Sequence, residues 1–213
     1  MSASRICSMI SSDLIKNALS YLGFLGLEAD GDLRQEVAEA LSVLIKMQRF
    51  RYLTKRFDRR LPFLEKEPYR TFLGDAPAYY LSLMTLGGEV ELYLRRLALT
   101  DLRRALVADA CGSALLEQLA DGEEARCAEP LSRRFCPGYE GSPVEDVAEI
   151  HRILDGGKIG VALTDGGLMI PQKSMAAVLA VGGARGQRCN TCPLLTHCVF
   201  RKEQSVCNRS ESG

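Results

Sequence analysis

Apolar side chains recur every three or four residues along several segments of the chain, and this spacing is typical of helices with one buried face. A short helix is predicted to begin at Ser12 and Asp13 and to end at Gly23. A longer helix is predicted to begin at a capping box formed by Asp32 and Gln35. Its apolar face contains Leu33, Val37, Leu41, Leu44 and Met47.

The helical pattern returns between Asp75 and Asp121. It is interrupted at Gly87 and Gly88, and it starts again after Thr100, which is suited to an N-cap. Three successive helices are therefore predicted in this part of the chain.

The C-terminal part is predicted to add one helix and two strands. Ser142 and Glu145 form a second capping box, with Pro143 in the first helical position. Residues 159–163 and 174–181 are rich in branched and small apolar side chains, which favours strands. Helices first and strands late indicate an α+β fold, with a helical N-terminal half followed by a mostly antiparallel sheet with packed helices.

Residues 49–60, with the sequence RFRYLTKRFDRR, alternate basic with apolar or aromatic side chains. The pattern fits an exposed edge strand, where Lys and Arg discourage unwanted strand pairing, and it also fits a basic docking surface. The edge strand is the favoured interpretation.

Composition narrows the class of protein. With 213 residues, the chain suits either one large domain or a domain with a small appendage. Its 27 basic and 27 acidic residues balance, which argues against a dedicated nucleic-acid binder. No apolar run approaches the roughly 20 residues of a membrane span, and no signal peptide is apparent, so a cytoplasmic protein without a membrane partner is expected.

Four of the eight cysteines lie close together near the end of the sequence, namely Cys189, Cys192, Cys198 and Cys207. The CxxC spacing of the first two can chelate one metal ion, and thiolates suit zinc or an iron–sulfur cluster. Zinc, an iron–sulfur cluster and free thiols remain three alternatives for this cysteine tail.

Three separated segments carry a resemblance to a known family. They are DACGSALLE at 109–117, RFCPGYEGSPVED at 134–146, and IGVALTDGGLMIPQKSMAAV at 159–178. In order and spacing they resemble the S-adenosylmethionine-binding activation domain of vitamin B12 (cobalamin)-dependent methionine synthase, in the stand-alone form with a C-terminal cysteine cluster. The resemblance implies that fold over residues 1–185, with a helical part at 1–100, a ligand-binding core at 101–185, and a cysteine-rich tail at 186–213.

The resemblance also implies a ligand site. By motif position, Arg134 would hold the carboxylate of S-adenosylmethionine and Glu117 its ammonium group, as charge-assisted hydrogen bonds allow. Pro137 and Gly138 would present their backbone to the ligand, and Tyr139 would offer a ring and a hydroxyl. No catalytic acid or base is implied.

The function that the resemblance implies is reductive reactivation of a corrinoid protein. An inactive cobalamin is reduced and then trapped by the methyl group of S-adenosylmethionine, so this chain would be the methyltransferase activation component of methionine synthase. The cobalamin would arrive on a partner, either a truncated methionine synthase or another corrinoid methyltransferase, and an electron donor is required.

Two alternatives stay open from the sequence. No counterpart of the family's N-terminal aspartate is identified, so the chain could be a non-catalytic adaptor for a corrinoid protein. The cysteine tail could instead make it an iron–sulfur electron-transfer protein for a corrinoid methyltransferase.

Overall fold

The computed structural model describes residues 10–24 and 29–182. In this part the helices are α1 (Ser12–Tyr21), α2 (Gly31–Met47), α3 (Tyr69–Leu73), α4 (Gly88–Thr100), α5 (Leu102–Glu124) and α6 (Asp146–Leu154). The strands are β1 (Arg51–Phe57), β2 (Tyr79–Thr85), β3 (Ala162–Leu163), β4 (Met169–Ile170) and β5 (Ser174–Ala180). Two 3₁₀ turns, Pro62–Glu65 and Gly156–Ile159, complete the set.

The main sheet has three antiparallel strands in the order β1-β2-β5. Arg51 lies opposite Thr85 in the first pair, and Tyr79 lies opposite Ala180 in the second. The connection before α6 reaches the far side of β5, where Phe135 forms a bridge with Val178. A separate short hairpin is formed by β3 and β4.

The chain divides into two compact units. A helical unit contains the described residues of 10–48 together with 89–121, and a sheet unit contains 49–88 and 122–182. The last residues of α5 therefore group with the sheet.

The helical unit is held by apolar faces at helical spacing. Val37, Leu41 and Leu44 of α2 are fully buried, as the sequence pattern predicts. Cys111 of α5 is also buried, with its sulfur 3.7 Å from the carbonyl oxygen of Val37. Burial raises the pKa of the Cys111 thiol to about 12, so this thiol stays protonated at neutral pH.

The core of the sheet unit lies on one face of the main sheet. Leu81 and Leu83 of β2 and Val178 of β5 pack there with Ile150 of α6 and with Phe135. Rings add to this cluster, because Phe135 lies 5.2 Å from Tyr69 and 4.8 Å from Phe72 between centroids.

The α+β class is confirmed, and so is the strand predicted in the basic segment 49–60. The helix predicted to begin near Asp75 is wrong, because residues 79–85 form the central strand β2. Six of its seven residues are buried, and a short apolar run that is covered on both faces has no alternation to mark it as a strand.

Three predicted caps are also wrong. Thr100 is the last residue of α4, and Asp101 caps α5, because its carboxylate accepts a 3.1 Å hydrogen bond from the backbone N–H of Arg104. Asp30, and not Asp32, caps α2, because its carboxylate accepts a 2.8 Å hydrogen bond from the backbone N–H of Leu33. The Ser142 hydroxyl bonds back to the loop before it, so α6 starts at Asp146 without a side-chain cap.

Within the described residues, no helix is long and apolar enough to cross a membrane.

Candidate functional site

Four of the five residues predicted to bind the ligand lie in one loop of the sheet unit, residues 134–142. The loop starts at the sheet, because Phe135 and Val178 exchange two backbone hydrogen bonds of 2.9 Å. A rigid strand therefore fixes the position of the two residues on either side of Phe135, Arg134 and Cys136.

Ser142 closes the loop. Its hydroxyl donates a 2.7 Å hydrogen bond to the carbonyl oxygen of Tyr139, and its backbone N–H donates a 3.0 Å bond to the same oxygen. Its own carbonyl oxygen accepts a 3.2 Å bond from the N–H of Gly138. The loop is thus a hydrogen-bonded turn that presents Tyr139 to solvent, with 71% of this residue exposed.

Gly138 adopts a conformation that other residues rarely adopt. Its φ is +87°, in the left-handed region that favours glycine. A Cβ atom added there would lie 3.6 Å from the side chain of Val144, which is an ordinary contact. The requirement for glycine is therefore set by the backbone angle, while Pro137 before it is buried.

Arg133 stiffens the same loop. Its guanidinium forms a two-pronged ion pair with Glu140, with N–O distances of 2.7 and 2.8 Å. It also lies over the rings of Phe72 and Phe135, at 5.3 and 5.8 Å from their centroids. No signal in the sequence distinguishes Arg133 from a solvated surface arginine, because only the fold brings it together with Glu140, Phe72 and Phe135.

The side chain of Arg134 is more buried than that of a ligand-binding arginine on an open surface would be. Its Nη1 atom is 2.8 Å from Oε1 of Glu124, and the two side chains are only 8% and 6% exposed. Both charges are largely removed from water, so each depends on the other for compensation. Glu124, at the end of α5, was not predicted as a functional residue, because an acidic residue near a helix end carries no specific signal in a sequence.

Tyr52 of β1 belongs to the same polar cluster. Burial, and then the charge of Glu124, raise the pKa of Tyr52 to about 12, while the charge of Arg134 opposes the shift. The phenol is therefore neutral at physiological pH, and Arg134 sits beside a polar group as well as a carboxylate.

Glu117 is the fifth residue that was predicted to bind the ligand. Glu117 is half-buried on α5 within the helical unit, whereas Arg134, Pro137, Gly138 and Tyr139 belong to the sheet unit.

The four predicted metal ligands, Cys189, Cys192, Cys198 and Cys207, lie outside the described residues. Among the described residues, no cluster of three or more histidine, cysteine, aspartate or glutamate side chains could hold a metal ion.

Comparison with known proteins gives one informative result. No protein-family model matches the chain, and no curated protein matches it. Among solved structures, the chain is similar to the MetH reactivation domain bound to AdoHcy, with a TM-score of 0.53 and 16% sequence identity. The similarity covers 91% of this chain and 83% of that domain, so the two share a fold over nearly their whole length.

Proposed function

We propose that this protein binds S-adenosylmethionine and supplies its methyl group for the reductive reactivation of a corrinoid protein. The observation that carries the proposal is the fold shared with the MetH reactivation domain, which was crystallised with AdoHcy. The motif RFCPGY, at 134–139, falls in an ordered loop of that fold and supports the same function.

The residues of the loop fit a ligand with an amino-acid end and a flat ring system. Arg134 is a permanent cation with a planar set of donors suited to a carboxylate. Gly138 has no side chain to keep a ligand from the backbone, and the exposed ring of Tyr139 can cover an apolar part of a ligand.

The chain's part in the reaction is positioning. S-adenosylmethionine supplies an activated methyl group, and the cobalamin would be carried by a truncated methionine synthase or another corrinoid methyltransferase. A fixed loop with a bound donor lowers the entropic cost of bringing the two together, and no general acid or base is needed. The reduction itself requires an electron donor. An iron–sulfur cluster in the cysteine tail would be a candidate for that link, whereas zinc has no redox chemistry and would have a structural role there.

Calorimetric titration with S-adenosylmethionine tests the proposal. The wild-type chain is expected to bind, and Arg134→Ala is expected to weaken binding by about 1.5 to 3 kcal/mol, the usual contribution of a hydrogen bond to a charged group. Because Arg134→Ala leaves the Glu124 carboxylate buried without its partner, the double variant Glu124→Leu/Arg134→Met serves as a second test with the charges removed together. Arg152→Ala, which changes a largely exposed arginine on α6, is the control. Unchanged affinity in both Arg134 variants would contradict the site.

One observation favours a second function. The guanidinium of Arg134 is nearly buried and already paired with Glu124. A chain that keeps this pair closed would be an adaptor that holds a corrinoid protein without using S-adenosylmethionine. Absence of S-adenosylmethionine binding by the wild type, together with binding of a corrinoid protein, would establish that function in place of the first.

A further inference from the structure

The strand β1 carries an unusual concentration of positive charge. Residues 49–60 contain six cationic side chains and one acidic side chain, in a protein whose net charge is zero. Such segregation of charge produces a local positive field, which favours an acidic partner.

The cations of β1 differ in how they are compensated. Arg56 is held by Glu129, with N–O distances of 2.8 and 3.1 Å, and by Asp58. Within the described residues, Arg51, Lys55 and Arg59 form no ion pair with any side chain, and all three are exposed. The nearby acids are used by Arg56, so three cations remain for a partner.

These charges lie at an edge of the main sheet. In the main sheet β1 is an edge strand, and no described strand pairs with its outer side. Every second residue of an antiparallel edge strand turns its backbone N–H and C=O away from its neighbour, which leaves hydrogen-bonding groups for an added strand. Arg51 and Lys55 are four residues apart and lie on the same face, about 13 Å apart along the strand.

Charges on an edge strand protect a protein against aggregation, but this role explains only part of the concentration of cations at β1. One or two charges suffice to discourage pairing of identical edges. Three uncompensated cations in nine residues repel one another, which costs stability unless an acidic partner is present. The same charges reject a second copy of this strand and attract an acidic one, which is the basis of a specific pairing.

We propose that the edge of β1 is a docking site for an extended acidic segment of a partner protein, which adds to the sheet as a strand. Carboxylates at every fourth position of such a segment would face Arg51 and Lys55, and backbone hydrogen bonds would give the remaining affinity. This docking surface is separate from the loop 134–142 and does not depend on S-adenosylmethionine.

A binding titration of the full chain with fluorescein-labelled poly-L-glutamate tests the proposal. Binding is expected at low salt and should weaken as ionic strength rises. Arg51→Glu/Lys55→Glu should weaken it by more than about tenfold, because both attractive contacts become repulsive. Arg34→Glu/Lys46→Glu on α2 makes the same change in net charge at exposed positions and should have little effect.

Hydrogen exchange distinguishes an added strand from a loose ionic contact. Bound poly-L-glutamate should slow amide exchange in residues 51–57, and Arg51→Gln/Lys55→Gln should lose this protection while retaining the fold by circular dichroism. The proposal is overturned if the wild type does not bind, if both charge-reversal variants weaken binding equally, or if a labelled oligothymidylate binds more tightly than the glutamate polymer.

Discussion

At the scale of single residues, the loop 134–142 depends on one backbone angle. Gly138 at φ +87° allows the turn that exposes Tyr139, and the Ser142 hydroxyl holds that turn closed. The PGY motif is therefore a structural requirement of the loop as well as a candidate ligand contact.

Gly138→Ala is expected to lower the free energy of unfolding by about 1 to 2 kcal/mol, because an L-residue is strained in the left-handed region. The matched control is Gly166→Ala, where φ is ordinary and an added Cβ comes no closer than 3.9 Å to its nearest neighbour. Urea denaturation of both variants measures the difference. Equal stability of the two variants would show that the loop does not hold Gly138 in this conformation.

Asp146, the first residue of α6, gives a prediction on pH. Its burial raises the pKa of the carboxyl above the ordinary value, although the neighbouring Tyr69 hydroxyl opposes the shift. The folded protein therefore binds this proton more tightly than the unfolded chain does. Stability from this group is present below the unfolded pKa and is lost as the pH rises through the folded pKa.

Asp146→Asn removes the titrating carboxyl and therefore its contribution to the pH dependence of stability. The variant should gain stability relative to the wild type as the pH is raised from below the ordinary aspartate pKa of about 4 to neutral pH. Chemical denaturation of both proteins across that range measures the difference. A constant difference between them would contradict the raised pKa.

At the scale of elements, the end of α5 is joined to the connection before α6 by the buried pair of Glu124 and Arg134. Glu124→Ala should lower the free energy of unfolding by about 3 kcal/mol, because it leaves a buried guanidinium without its carboxylate. Glu124→Leu/Arg134→Met should stay much closer to the wild type, since no charge remains buried. Thermal or urea denaturation compares the two, and similar losses in both variants would argue against a compensated pair.

The elements also show how far the sequence could predict the structure. The amphipathic helices α1 and α2 follow from local periodicity, because each has one exposed face. The edge strand β1 follows from its alternation of basic with apolar or aromatic side chains. The central strand β2 does not, since its burial is created by β1, β5 and the packed helix α6, which are distant in sequence. The residues of the candidate site also differ in whether local sequence can predict them. A motif locates Arg134 and Gly138, but Glu124 and Tyr52 become neighbours of Arg134 only through the fold.

At the scale of the whole molecule, the chain shares a fold with the MetH reactivation domain over 91% of its length, and the function proposed above starts from this shared fold. The proposed assignment of Arg134, Pro137, Gly138 and Tyr139 comes from the sequence motif, and locating the bound ligand on the chain tests it.

Hydrogen exchange of the full chain with and without S-adenosylmethionine locates the ligand directly. We predict slower amide exchange in residues 134–142, because a ligand on this loop shields its backbone and restrains its opening. Protection confined to other parts of the chain, or no protection at saturating S-adenosylmethionine, would contradict the proposed site.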